Sequence, residues 1–368
     1  MDTATDVFVI GGGPAGLAAA IAARQRGFEV VLADPCVPGA DKACGEGVMP
    51  EGLEALRRLG VDIPAAAALP IRGIRFLQSG LAAEARFSRV AGVGIRRTTL
   101  HRLLAERAEA CGVRLLWRTA VTGITEDGAV LPGGFARARW ICGADGSRSR
   151  VRRWMGLDPR RAPSSRYGVR RHYRVQPWSD CVEVYWGPES QLYLSAVGRE
   201  EVCVAMIARA PGSGIEQALV AFPELAARLA DAQPASADRG GVTSSLCLRR
   251  VFRGNVALVG DASGSVDAIT GQGLSLAFQQ AHAWAAALEA GDLRQYQAAH
   301  RRILRRPAIM ARLMLALNGR PGLQRRVLRI FAEEPRLFAR MLAAHIGSAS
   351  AVDYAVNGLR LGWRLVTA

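Results

Sequence analysis

The first 34 residues alternate between apolar runs and a glycine turn. Residues 6–10 predict a short strand, 11–16 a tight turn, 17–26 a helix and 28–33 a second strand rich in β-branched residues. This order is typical of a βαβ unit, so the chain begins as an α/β domain.

Helical and strand patterns then alternate as far as residue 142. Residues 51–59 predict a helix closed by Gly60, and a second helix carries Leu100 and Leu104 and stops at Gly112. Short strands follow, with predicted bounds of 114–117, 121–125 and 139–142.

The pattern changes after residue 166 to β-branched and aromatic runs separated by turn residues. The predicted strands are 167–175, 181–186, 191–197 and 202–208. We expect them to form an antiparallel sheet inserted into the first domain. Residues 255–259 return to the buried-strand pattern, and the chain after Gly273 is almost entirely helical.

Charge and cysteine usage exclude several classes of protein. The formal net charge is +16, but Lys42 is the only lysine and the arginines are not interleaved with aromatics as in single-strand binders, so no nucleic acid is expected. Seven cysteines without a C-x-x-C pair predict neither a disulfide framework nor a metal site. With no signal-peptide pattern and no long apolar span, we expect a cytoplasmic protein, at most associated with a membrane surface.

The turn Gly11-Gly12-Gly13-Pro14-Ala15-Gly16 has the spacing of a dinucleotide-binding loop. In such a loop one glycine permits the tight turn, one admits a pyrophosphate and one lets helix pack on strand. Asp34 closes the second strand about 20 residues further on, where an acid binds a ribose hydroxyl. These features predict a dinucleotide cofactor.

Two Gly-Asp motifs also follow strands. Asp145 lies in Gly143-Ala144-Asp145-Gly146, and Asp261 in Gly260-Asp261-Ala262-Ser263. Gly271-Gln272-Gly273 then opens a helix whose N-terminus can face an anionic part of a ligand. We expect both motifs at the carboxyl edge of one parallel sheet, where open α/β sheets bind ligands.

The ordered set of motifs resembles the FAD-dependent monooxygenase (aromatic hydroxylase-like) superfamily, which includes geranylgeranyl reductases and flavin-dependent halogenases. It comprises G-G-G-P-A-G, Arg97-x-x-Leu100, G-A-D-G-S-x-S-x-V-R at 143–152 and G-D-A-S-G…T-G-Q-G at 260–273. The resemblance implies an FAD-binding Rossmann-like domain of the glutathione-reductase type, with an inserted sheet over the flavin and a helical C-terminal region. We expect the FAD domain at 1–75, 95–160 and 245–290, the substrate sheet at 76–94 and 161–244, and the helical region at 291–368.

The predicted FAD contacts combine the motifs with two positive charges placed for the phosphates, Lys42 and Arg97. They are Gly11, Gly13, Pro14, Ala15, Gly16, Asp34, Lys42, Arg97, Val121, Asp145, Gly260, Asp261, Gly271, Gln272, Gly273 and Leu274. Ala268 replaces the proline common at this place in the superfamily.

Other side chains are candidates for the flavin's surroundings. Cys44 and Glu46 belong to a stretch similar to the Lys/Arg-x-Cys-Gly stretch of the reductase branch and of some monooxygenases. Alternation on the strand at 167–175 places Arg170, His172 and Arg174 on one face. The substrate-pocket candidates are His172, Tyr185, Trp186 and Tyr193.

We expect an NAD(P)H-dependent monooxygenase that oxygenates a hydrophobic small molecule through a flavin hydroperoxide, with NADPH or NADH as electron donor. The alternatives are a reductase of prenyl or polyene double bonds, a halogenase, or a binding protein without turnover. The arginine-rich C-terminal helices can lie on a membrane, cover a lipophilic channel, or pack on the sheet with arginines outward; the pattern favours the last.

Overall fold

The computed structural model describes residues 3–88, 90–158, 165–347 and 351–367. The predicted boundary at 160–161 lies outside these ranges. The helices are α1 (Pro14–Arg24), α2 (Pro50–Arg58), α3 (Arg97–Ala110), α4 (Arg150–Trp154), α5 (Ile215–Leu219), α6 (Pro223–Leu229), α7 (Gly273–Glu289), α8 (Leu293–Leu317), α9 (Pro321–Glu333), α10 (Pro335–His345) and α11 (Ala351–Thr367).

The strands belong to four sheets. They are β1 (Thr3–Ile10), β2 (Val30–Asp34), β3 (Gly47–Val48), β4 (Leu69–Ile71), β5 (Gly73–Gln78), β6 (Leu81–Arg86), β7 (Gly92–Gly94), β8 (Arg114–Trp117), β9 (Gly123–Thr125), β10 (Gly128–Leu131), β11 (Gly134–Gly143), β12 (Ser165–Arg174), β13 (Cys181–Trp186), β14 (Ser190–Gly198), β15 (Glu201–Ala208), β16 (Gln233–Pro234), β17 (Arg239–Ser244), β18 (Leu246–Cys247), β19 (Phe252–Arg253), β20 (Val256–Leu258) and β21 (Gly264–Ser265).

The main sheet has the order β19-β20-β11-β1-β2-β8, and its central strands are parallel. Val7, Phe8 and Val9 of β1 are fully buried, as expected for a central strand of a parallel sheet whose two faces are both covered. The carboxyl ends of β1, β11 and β20 lead into the glycine turn and the two Gly-Asp motifs. The α/β prediction is thus confirmed, and the three motifs meet at one edge.

The second sheet has the order β16-β12-β15-β14-β13-β5-β6, with β17 also paired to β12. Its four central predicted strands are present. These four strands pair antiparallel as expected, and one neighbouring pair departs from that pattern, since β5 runs parallel to β13. β5 and β13 reach the sheet from separate insertions, so no hairpin forces them to be antiparallel. The sheet also starts at Gly73, three residues before the predicted boundary at 76.

The second sheet has two chemically different faces. Tyr173, Tyr185, Leu192 and Val204 lie on the face that packs against α5 and α6. The opposite face, called here the inner face, is turned toward the main domain and the C-terminal helices; it carries Arg166, Arg170, His172, Tyr193, Trp186 and Phe76.

The helical C-terminal region is confirmed, and it covers the apolar end of the inner face. The ring centroid of Phe338 on α10 lies 5.6 Å from that of Phe76. Phe338 also stacks on Phe331 of α9, and the centroids of these two rings are 4.6 Å apart. Within the described ranges, every helix is too short or too polar to cross a bilayer.

Buried ion pairs hold the polar end of the inner face on the main domain. Arg166 pairs with Asp267, and Arg170, which is fully buried, pairs with Asp41. Removing one partner of such a pair leaves an uncompensated buried charge, which is far more costly than losing an exposed pair.

We therefore expect Arg170→Met to lower the free energy of unfolding by about 3–5 kcal/mol. Arg171 is the matched control: it is the next residue on the strand and pairs with Asp238 and Glu216, whose side chains are 40% and 66% exposed. Arg171→Met should cost about 1 kcal/mol or less. Urea unfolding of both variants checks this, and equal losses would contradict it.

Candidate cofactor and substrate site

The glycines of the turn between β1 and α1 differ in their surroundings as predicted. Gly11 has φ of 108°, and a Cβ there would lie 2.5 Å from the Ala144 carbonyl oxygen. A Cβ at Gly16 would overlap the Gly11 carbonyl oxygen. A Cβ at Gly13, in contrast, would meet no protein atom within 4 Å. Of these three glycines, Gly13 alone leaves open space, and it is the position expected to face a pyrophosphate.

Asp34 closes β2 directly beside this turn. Its carboxylate accepts hydrogen bonds from the backbone N–H of Gly12 at 2.6 Å and of Cys36 at 2.7 Å. A carboxylate has about four lone-pair directions, so Asp34 retains acceptor capacity for a ribose hydroxyl.

His101 was missed by sequence reasoning and supports the turn from behind. Its Nε2–H donates to the Gly12 carbonyl at 2.7 Å, and its Nδ1 accepts from the Gly39 N–H at 3.1 Å. Burial lowers the pKa of His101, which favours this neutral form. Its position one helical turn after Arg97 on α3 was the available signal.

Asp145 and Arg97, two of the predicted contacts, each carry a buried polar atom that has no hydrogen-bond partner in the described structure, as Gln272 does with its Oε1. Asp145 caps α4 by accepting from the N–H groups of Arg150 and Val151, while its Oδ1 is unpartnered. Arg97 has an unpartnered Nε. Buried polar groups are normally satisfied, so these two atoms fit a bound polar ligand.

The second Gly-Asp motif is fixed by residues that the sequence did not single out. The Gly260 N–H donates to Gln280 at 2.7 Å, and His300 bonds to Ser263 at 2.9 Å. The Asp261 side chain is solvent-accessible, yet desolvation raises its pKa, opposed by the charges of Arg97 and Lys42. Asp261 thus faces a recess rather than open surface.

That recess joins the Gly-Asp motif to the start of α7. Gly260, Asp261, Gly273 and Leu276 line it together. Gly271 is left-handed with φ of 66°, and neither Gly271 nor Gly273 has a protein atom within 4 Å of a Cβ position. A short 3₁₀ turn forms before them at Ala268–Thr270 even without the expected proline.

The remaining predicted cofactor contacts differ in what they offer. The Val121 side chain is buried in the main core, so only its backbone can face a ligand, whereas Lys42 is exposed. Ala15 packs against Gly260, Pro14 begins α1, and Leu274 is partly buried against the main core.

Gln272 is buried and joins three elements. Its Nε2 donates to the His345 carbonyl at 2.9 Å and to Glu51 at 3.3 Å, so the turn before α7 contacts both α10 and α2. Burial raises the pKa of Glu51 to about 7, while a backbone hydrogen bond and the Gln272 and Ser275 side chains oppose this rise.

Glu46 is the centre of a buried polar chain. Its φ is 56° and its side chain is 1% exposed. One carboxylate oxygen accepts from the Arg97 N–H at 2.9 Å, and the other lies 2.5 Å from His172 Nε2. Arg170 lies 3.0 Å from His172 Nδ1. A guanidinium can only donate, so Nδ1 accepts and the imidazole proton is on Nε2, facing Glu46.

Cys44 and Cys203 flank this chain. Cys44 Sγ accepts from the Glu46 N–H at 3.3 Å, and the Cys203 thiol donates to the Cys44 carbonyl at 3.6 Å. Glu46, His172 and Cys203 have potential metal ligand atoms within 4.8 Å of one another. However, the adjacent Arg170 charge and the existing hydrogen bonds already account for the group, and burial raises the pKa of the Cys203 thiol well above its usual range.

The four pocket candidates do not share one face. His172, Tyr193 and Trp186 lie on the inner face, and the Tyr193 hydroxyl lies 3.5 Å from the Ile269 carbonyl beside the turn before α7. Tyr185 lies on the opposite face, where it packs against Phe222 and donates to Glu183. Adjacent residues of a strand point to opposite faces, so Tyr185 and Trp186 cannot both line one pocket.

Comparisons with known proteins agree with this geometry. Residues 4–171 match the family described as FAD binding domain. Digeranylgeranylglycerophospholipid reductase 1 of Methanothermobacter thermautotrophicus is 29% identical over 297 residues, 74% of each chain. Menaquinone reductase of Mycolicibacterium smegmatis is 26% identical over 330 residues, 81% of this chain and 80% of that one.

Solved structures support the fold over nearly the whole chain. A geranylgeranyl bacteriochlorophyll reductase-like protein of Thermoplasma acidophilum superimposes with a TM-score of 0.81 at 20% identity, covering 99% of this chain and 100% of that one. PqsL of Pseudomonas aeruginosa, a probable FAD-dependent monooxygenase, has a TM-score of 0.68 at 21% identity and covers 91% and 98%.

The fold and the site define an FAD-dependent oxidoreductase, because the open glycine cradle and the unpartnered polar atoms of Arg97 and Asp145 lie within the segment that matches the FAD binding domain. The chain is similar to the superfamily of FAD-dependent monooxygenases and geranylgeranyl reductases. It is an enzyme, and FAD is its cofactor.

The open space at Gly13 predicts a variant that loses the cofactor while keeping its fold. In Gly13→Ala the new methyl group meets no protein atom, so the melting temperature without FAD should stay unchanged, while the Kd for FAD rises at least about tenfold, or about 1.4 kcal/mol. Gly16→Ala, whose methyl overlaps backbone, should instead lower the melting temperature itself. Fluorescence titration and thermal unfolding distinguish them; tight FAD binding by Gly13→Ala would refute this assignment.

The raised pKa of Glu51 predicts a pH-dependent cost to folding. Between its ordinary value of 4.5 and about 7, the unfolded chain releases this proton while the folded protein keeps it, so Glu51 increasingly destabilises the fold as pH rises. Glu51→Gln should therefore raise the free energy of unfolding by about 1–3 kcal/mol near pH 8, and hardly at all near pH 5.

Glu54→Gln is the control for this experiment, because Glu54 lies on the same helix with a 64% exposed side chain. Denaturant unfolding over the pH range should leave the Glu54 variant parallel to the unsubstituted protein. A Glu51 variant whose stability gain does not grow with pH would rule out the explanation.

Proposed function

We propose that this enzyme is a reductase that saturates carbon–carbon double bonds of a polyprenyl or other polyene chain. The observation that carries the proposal is the chemical gradient of the inner face. The inner face is ionic at Arg170 and His172, next to the 41–47 loop that carries Glu46. It is aromatic at Trp186 and Phe76, beneath α10. The aromatic side chains are covered by α9 and α10, so a substrate would reach them where these helices move aside. With that opening, the surface suits a long apolar substrate with one end near polar groups.

The relatives support the same substrate class. The two reported above are reductases by name, one of a digeranylgeranylglycerophospholipid and one of menaquinone. These names place an isoprenoid chain in both relatives' substrates, and their similarity extends over at least 74% of this chain. The reductase interpretation is therefore preferred to the oxygenation expected from the sequence.

In this proposal FAD, once reduced with electrons from NADPH or NADH, would supply a hydride to one carbon of the double bond, and a proton from solvent would be added to the other carbon. Gly11, Gly13 and Gly16 shape the cofactor's phosphate site, and Arg97, Asp145 and Asp261 offer it polar partners. The role of Glu46 and His172 is to fix the 41–47 loop against the inner face. Trp186 and Phe76 hold the apolar chain and exclude water.

Monooxygenation of a smaller polar aromatic compound is the second candidate. The Tyr193 hydroxyl favours it, because it lies on the inner face within 2.7 Å of Gln191 and close to the turn before α7. A hydroxyl at this place can orient a polar substrate. A halogenase is the third alternative, weakened by the missing Trp-x-Trp-x-Ile pattern.

Turnover with and without oxygen separates these activities. The FAD-loaded protein is reduced anaerobically with NADPH or dithionite, mixed with a geranylgeranyl lipid or with menaquinone, and the products are analysed by mass spectrometry. We expect the gain of two hydrogen atoms per saturated double bond without oxygen. A product that gains an oxygen atom, formed only in air, would replace the reductase by the monooxygenase.

Two neighbouring residues test whether the inner face holds the substrate. Trp186→Leu removes aromatic surface that lies beneath α10. It should raise KM at least about threefold, since less apolar surface is left for the substrate to contact once the covering helices move aside. Tyr185→Phe, on the opposite face, should leave KM unchanged. Steady-state kinetics with both variants decides this, and an equal response to the two changes would place the substrate elsewhere.

A further inference from the structure

The outer side of α11 carries a continuous apolar stripe. Val352, Val356, Leu359 and Trp363 are 71%, 57%, 76% and 70% exposed. Their spacing of four, three and four residues places them along one face of the helix. Large contiguous apolar surface is rare on soluble monomers and marks a contact with a partner or a membrane.

The other side of α11 is fastened to the protein. Leu361 and Leu365 pack against the apolar cluster beneath the C-terminal helices. Arg360 pairs with Glu334 at 2.6 Å, and Arg364 pairs with both Glu333 and Glu334. The helix is therefore held in a fixed orientation that turns the stripe outward.

The positive charge of the chain is concentrated in the same region. Residues 293–368 contain fourteen arginines but only three acids, Glu333, Glu334 and Asp353, which gives +11 of the total of +16. Two of these acids are paired with α11. Exposed arginines lie along α8, α9 and α10 and in the turn before α9; they include Arg312, Arg320, Arg325, Arg329, Arg336 and Arg340.

We propose that the C-terminal helices bind the surface of an anionic phospholipid bilayer, with the α11 stripe in the membrane interface. An apolar face containing tryptophan, flanked by arginines, has the composition of interfacial helices. A second copy of the chain is a poorer occupant, because it would bring a region of the same charge against this one. The inference depends on exposed side chains and charge, and is independent of the reaction proposed above.

Membrane contact at this place also connects to the inner face. α10, which covers Phe76 through Phe338, lies next to α11 in the fold. The apolar end of the proposed substrate site is therefore on the side of the protein that faces the lipid.

Vesicle sedimentation tests the proposal with the full-length, FAD-loaded protein. We expect binding to vesicles of phosphatidylcholine mixed with phosphatidylglycerol, at least about tenfold weaker binding to phosphatidylcholine alone, and a decline with added salt. The double variant Leu359→Glu with Trp363→Glu should lose most of the binding. Both side chains are exposed, so its FAD content and melting temperature should match the unsubstituted protein.

Val220→Glu is the matched control, since Val220 is 82% exposed on the inserted region and should not affect vesicle binding. Undiminished binding by the double variant, or equal binding to neutral vesicles, would overturn the proposal. So would a dimer in light scattering that the double variant converts to monomer, because the stripe would then contact a second copy.

Discussion

The buried carboxylate of Glu46 is the contact on which the site's arrangement depends. It accepts hydrogen bonds from the Arg97 backbone and from His172, and so joins the 41–47 loop, the start of α3 and the inserted sheet. The left-handed φ of Glu46 is unfavourable for residues other than glycine, asparagine or aspartate. Glu46 keeps this conformation because its partners fix both carboxylate oxygens. Arg97, with its unpartnered Nε, is thereby held where a cofactor can satisfy it.

The same contact fixes the register of β12. His172 and Arg170 share a face, and Arg170 continues the chain of polar groups to Asp41. A slip of one residue would place Arg171 and Tyr173 against Glu46 and turn His172 toward the apolar face that packs on α5 and α6. Because buried charges without partners are so costly, this alternative packing is excluded, and the apolar residues at the far end of the sheet are placed as well.

Local patterns predicted the parts of the molecule that local chemistry determines. The glycine turn and the strands at 181–186 and 202–208 follow from spacing and β propensity within a few residues. The parallel pairing of β5 with β13 and the support of Gly260 by Gln280 and His300 join distant segments, and no short window contains them. The alternation of side chains along β13 places Tyr185 and Trp186 on opposite faces of the sheet. Which of the two faces is turned toward the main domain is determined by the helices packed on each face.

Most of the net positive charge lies in the C-terminal region because acidic residues are scarce there, which the overall composition does not show. Arginine is frequent throughout the chain, so its abundance alone does not show where the positive charge is concentrated. Acids, however, become scarce after residue 292. Since residues 293–368 carry +11 of the total of +16, the first 292 residues carry a net charge of only +5. A binding domain for an anionic dinucleotide needs few positive groups, placed individually, as Arg97 and Lys42 are. A broad surface for anionic lipid needs many without neutralising partners, and depletion of acids achieves this without changing how the helices pack.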